Sequence, residues 1–66
     1  MSGNARGKLK EHCKGIHNNI DWVVHHCNSA VDLIGETHPE LKTVFIALAL
    51  QEKAIDDMLL EFYKTL

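Results

Sequence analysis

No apolar run in this chain is longer than seven residues, Val44 to Leu50. A helix that crosses a bilayer needs about 20 apolar residues in a row, so a transmembrane reading is excluded. Proline occurs once, at Pro39, and glycine four times, which excludes collagen-like and low-complexity chains. The basic residues near the start are followed by no apolar core and no small-residue cleavage site, so no signal peptide is expected. Nucleophile elbows, phosphate-cradling glycine loops and carboxylate pairs on an apolar seam are all missing, and no His-Glu-x-x-His or Glu-x-x-His motif occurs. An enzyme is therefore not expected, nor a catalytic residue, cofactor or metal.

What the chain does have is enough apolar content, 45% against 24% charged, to fold rather than stay disordered. At 66 residues it forms one small domain. Net charge is −2, too close to neutral for a nonspecific nucleic-acid binder. The charge is unevenly placed. Residues 1–20 carry +3, from Arg6, Lys8, Lys10 and Lys14 against Glu11, while residues 36–66 carry −3. A basic N-terminal arm over residues 1–7 thus precedes a mildly acidic body, and five histidines make the total sensitive to mild acid.

Periodicity gives two helices. Leu9, Cys13, Ile16, Ile20, Val23, Cys27, Ala30 and Ile34 follow an unbroken 4-3 spacing, with Val24 and Val31 widening the stripe, and predict a helix over about 8–34. Gly35 suits the left-handed position past a helix end. Thr37 and Glu40 form a capping-box pair with Pro39 in the first turn, so the turn is expected over 35–37 and a second helix over about 38–65. The seam expected on that helix is Leu41, Val44, Leu48, Gln51, Ile55, Met58 and Phe62, flanked by Phe45, Leu59 and Leu66. A connection this short makes the helices antiparallel. The expected fold is all-α: a two-helix hairpin.

One hairpin cannot cover Val44–Leu50, which is apolar all round. Ile46, Leu50 and Leu60 lie off the seam, as does Trp22. Apolar surface of that kind marks an interface, so the chain is expected to form a homo-oligomeric helical bundle with Trp22, Ile46, Leu50 and Leu60 in the contact. Cys13 and Cys27, fourteen residues apart on one helix, cannot bond to each other and read as packing residues in a reducing compartment, the cytoplasm.

The basic arm is the polar feature with most to offer. Arg6, Lys8, Lys10 and Lys14 surround a helix start, where backbone N–H groups already favour anions. Arg6 can hold a phosphate at two points. Lys10 and Lys14 are expected beside Asp57 and Glu61 across the hairpin and so partly neutralised. His12, Trp22, His26 and Tyr63 add hydrogen bonds or a stacking face at a subunit junction. These eight residues are the candidate ligand site.

Two equal helices, a tight turn and an a/d core resemble the architecture of the small RNA-binding hairpin dimers of the Rop type. The segment from Pro39-Glu40-Leu41 into Leu48-Ala49-Leu50-Gln51-Glu52-Lys53-Ala54 is similar in rhythm to a helix of phage anti-defence sponges that sequester cyclic-nucleotide signals. The resemblance covers the second helix alone and implies a small helical homo-oligomer holding a ligand between protomers; it assigns no binding residue. The expected function is a non-enzymatic oligomer that sequesters a small anionic, nucleotide-type ligand at inter-subunit pockets. The alternatives are an inhibitor or adaptor that binds protein through an apolar helix face, and a Rop-like RNA binder.

Overall fold

A computed structural model describes residues 3–66. They form two helices, α1 (Gly3–Ile34) and α2 (Pro39–Lys64), packed as an antiparallel hairpin measuring 54 × 15 × 11 Å. No strand occurs among the described residues, and none of their helices is long and apolar enough to cross a membrane.

The start of α1 differs from expectation. Residues 3–7, expected as part of a basic arm ahead of the helix, belong to the helix. Asn4-Ala5-Arg6 contains no breaker, and Ala, Arg and Lys are strong helix formers, which offsets the cost of Gly7. Residues 1 and 2 of the arm lie outside the described residues.

The turn forms where the glycine placed it. Gly35 takes φ 60°, the left-handed conformation, and donates its N–H to Val31 O at 3.2 Å. The expected capping box does not form. The Thr37 hydroxyl turns back and donates to Ile34 O at 2.7 Å, closing the end of α1 rather than opening α2. His38 becomes the N-cap, without a side-chain cap bond, and its carbonyl accepts from Leu41 N–H at 3.0 Å. Thr37 is committed to the nearer set of unpaired carbonyls, and Pro39, with no N–H to satisfy, needs no capping acceptor. At the far end of α2, Thr65 N–H and Leu66 N–H return to Phe62 O and Tyr63 O, and Lys64 sits in the last turn, where a cation suits the helix dipole.

On α1 the expected seam faces α2. Cys13, Ile20 and Cys27, seven apart, form the buried line at 5–6% exposure. Leu9, Val24, Ala30, Val31 and Ile34 are half-buried beside it, while Ile16 and Val23 are left partly exposed on one edge. Both cysteines are unpaired and packed in this line.

On α2 the expected seam is overturned. The half-buried residues are Lys42, Phe45, Ala49, Glu52, Asp56, Leu59 and Tyr63, with Leu66 just past the helix end, again at 3-4 spacing but shifted by one residue. Leu41, Val44, Leu48, Ile55, Met58 and Phe62 are all exposed, Met58 at 69%. One residue is 100° of helix rotation, so the most regular apolar stripe of α2 is turned out of the hairpin. The reason is that α2 carries two stripes of helical spacing, one apolar and one mixed, and has one neighbour. The stripe holding Phe45, Leu59 and Tyr63 also holds Asp56, which bonds to His17 of α1, and that register leaves the other stripe outside.

Candidate functional site

Two contacts cross the open half of the hairpin. His17 Nδ1 donates to Asp56 Oδ1 at 2.7 Å, and the Lys10 ammonium lies 5.9 Å from the centre of the Tyr63 ring, a cation–π arrangement. Both pairs put residue n of α1 opposite residue 73 − n of α2. Between them runs a groove of about 270 Å³, lined by Cys13, Lys14, His17 and Asn18 from α1 and by Asp56, Leu59, Leu60 and Tyr63 from α2. Its floor is apolar; its α1 rim carries Lys14 and His17, the latter held by Asp56, whose carboxylate also lines the groove. Lys14 is the rim cation placed to meet an anionic group on a small ligand with an apolar body.

His17 is held from both sides. Its Nε2 lies 3.4 Å from Asp21 Oδ2, one turn along α1. The hydrogen bond His17 donates to Asp56, then the charges of Asp56 and Asp21, raise its pKa above the ordinary 6.5. Both ring nitrogens face carboxylate oxygens, which is the arrangement an imidazolium prefers. A group whose folded pKa is raised stabilises the fold fully below its unfolded value and loses that contribution as pH rises through the folded value. The hairpin is therefore expected to melt at a lower temperature at about pH 8 than at about pH 6. His17→Gln should flatten that part of the profile, and the difference between the two circular-dichroism profiles isolates His17 from the other histidines. Identical pH dependence in the two proteins would remove the bridge from the stability of the hairpin.

The eight candidate residues do not converge within one chain. Lys10, Lys14 and Tyr63 meet at the groove. Arg6, Lys8 and His12 are exposed at the open end of α1 and take no part in its lining. Trp22 and His26 form a separate cluster: their rings stack at 5.7 Å and 27°, with His25 edge-on to Trp22 at 5.9 Å. That cluster sits on the outer side of α1, with a shallow depression bounded by Asn18, Asp21, Trp22 and His25 beside it.

The expected neutralisation of Lys10 and Lys14 is also corrected. Among the described residues no ion pair joins either lysine to Asp57 or Glu61. Glu61 is held by Lys64 of its own helix at 3.2 Å, and Asp57 is rotated 100° away from the position that faces α1. The carboxylate that does cross the hairpin is Asp56. Its clue was heptad spacing with Phe45, Ala49, Glu52, Leu59 and Tyr63; its partner depends on the register, which spacing does not supply.

The interface candidates Trp22, Ile46, Leu50 and Leu60 are all exposed. Leu60 borders the groove, on the edge of α2 opposite the turned-out stripe, and Ile46 falls on the same edge by helical rotation. Among the described residues no three of His, Cys, Asp and Glu are grouped to hold a metal ion; Cys13 is buried in the seam while His17 is engaged by Asp56. No family model, curated protein or solved structure matches this chain.

Proposed function

We propose that the protein is a non-enzymatic homo-oligomer of helical hairpins that binds and sequesters a small anionic, nucleotide-type ligand where copies meet. The observation that carries the reading is the groove at the open half, where Lys14 and His17 line an apolar floor and Lys10 lies over Tyr63 at its end. Cations on the rim of an apolar cleft suit a ligand that joins a flat ring to a phosphate. The turned-out stripe of α2 supports assembly, since exposed apolar surface of this extent is costly in a lone chain. Sequestration of a signalling nucleotide, as in phage counter-defence, is the role that the likeness of the second helix implies, and the cytoplasm is the compartment that the free cysteines suit.

The test is titration calorimetry with cyclic mono- and dinucleotides. Lys10→Ala with Lys14→Ala should weaken binding at least tenfold, the order of one lost charge-assisted hydrogen bond. Arg6→Ala with Lys8→Ala, outside the groove, should cost less. An absence of binding in a folded, assembled protein would overturn the ligand reading in favour of the adaptor. The adaptor is favoured by one specific observation: Ile46, Leu50 and Leu60 present a second apolar edge.

A further inference from the structure

The stripe that α2 turns out of the hairpin is self-complementary. Its residues are Leu41, Val44, Leu48, Gln51, Ile55, Met58 and Phe62, and Gln51 stands at the middle. All are exposed. Reversing the stripe about Gln51 sets Leu41 against the partner's Phe62, Val44 against the partner's Met58 and Leu48 against the partner's Ile55. Each layer combines two apolar side chains of different shape, as interdigitating seams require. The one polar residue falls on the axis of reversal. There its amide meets its own copy, and an amide has both a donor and an acceptor to exchange.

We infer that α2 pairs antiparallel with α2 of a second copy, across a two-fold axis passing beside Gln51. This deepens the self-association part of the functional reading and rests on it. A two-fold contact needs one patch that matches itself reversed, and the stripe has that property. Gln51 then sets the register, because any slip would bury its amide against an apolar side chain. Ala47 and Ala54, one turn either way on the outer flank of Gln51, are exposed and small and let the two backbones approach. Helical rotation places Ile16 and Val23, the partly exposed edge of α1, on the same side of the hairpin as Leu41, Leu48 and Ile55, so α1 extends the face.

The surface area says how large a partner is missing. The chain exposes 5106 Å² at 7.5 kDa, whereas a compact monomer of that mass exposes about 4,250 Å². The excess, about 850 Å², matches the roughly 800 Å² that each partner buries in a stable interface. A second copy of the same face is the occupant that meets both the area and the symmetry.

The experiment is site-specific cross-linking in a chain whose Cys13 and Cys27 are replaced by Ala, with its mass followed by sedimentation and its helicity by circular dichroism. Gln51→Cys should give a disulfide-linked dimer under mild oxidation, because a residue on a two-fold axis faces its own copy. Leu50→Cys, on the opposite edge, should not. A mixture of Leu41→Cys and Phe62→Cys chains should link one to the other, and neither alone should link to itself. In the wild-type chain, Leu48→Glu should reduce the sedimenting species to 7.5 kDa while Leu50→Glu leaves its mass unchanged. A dimer that links through Leu50→Cys, or through neither site, overturns the axis and leaves self-association standing. A helical wild-type monomer at micromolar concentration overturns both.

Discussion

Ile20→Ala is expected to leave the isolated chain largely unfolded, with loss of most helical circular-dichroism signal at 25 °C. Ile20 is the middle residue of the line Cys13–Ile20–Cys27, the three most enclosed side chains among the described residues. Truncation of a buried Ile costs about 2–5 kcal/mol, part from lost transfer free energy and part from the cavity left behind. A single core in a chain of this size rarely supplies more than about 3–5 kcal/mol in total. The two figures overlap, so one side chain decides whether the hairpin exists. Ile20→Val, losing one methylene, should cost about 0.5–1.5 kcal/mol and keep the fold. If Ile20→Ala melts like the wild type, the stability does not reside in this line and the packing between the helices is misassigned.

Gly35→Ala is expected to cost about 1–2 kcal/mol, the penalty for an L side chain in the left-handed region. The space around Gly35 is open, with no atom within 4 Å of an added Cβ, so the cost is backbone strain alone. Asn tolerates that region better, and Gly35→Asn should lie between glycine and alanine. A β-branched residue fits it least, which makes Gly35→Val the most damaging of the series. Chemical denaturation of the four proteins gives the ranking. Equal stability of Gly35→Ala and wild type would mean that the chain turns without using φ 60° at this position. Because the turn joins both helices in one register, the loss should appear as one cooperative transition rather than as local fraying.

The comparison of α1 with α2 shows where sequence reasoning reaches and where it stops. Cys13, Ile20 and Cys27 were legible because α1 has one apolar stripe, and a helix with one stripe has one way to bury it. Gly35 was legible because few other residues suit its conformation. On α2 the spacing 41-44-48-51-55-58-62 and the spacing 42-45-49-52-56-59-63 are equally good as helix seams. Ranking by hydrophobicity selects the first, and the hairpin uses the second. Hydrophobicity says how much surface seeks cover, not which neighbour provides it. The candidate site was legible only in part for the same reason. Lys10, Lys14 and Tyr63 converge through the register 73 − n, and so does the His17–Asp56 bridge, whereas Trp22 and His26 were grouped with them by residue type and lie elsewhere. The capping box failed on a finer point: Thr37 had two helix ends within reach, and its hydroxyl serves the one behind it.

A hairpin closed at one end stores its contacts in a graded order. Residues beside the turn, such as Val31 and Lys42, are joined by a short loop, while Lys10 and Tyr63 are joined by everything between them. Each contact formed shortens the loop that the next must close, so the two helices zip from Gly35 outward and unzip from the open end inward. Opening at the far end breaks few contacts and leaves the rest of the ladder standing. The groove lies toward that end, between the His17–Asp56 bridge and the Lys10–Tyr63 pair. Its walls are therefore the part of the molecule that parts most cheaply, and whatever seats itself there acts as a clasp on the zipper.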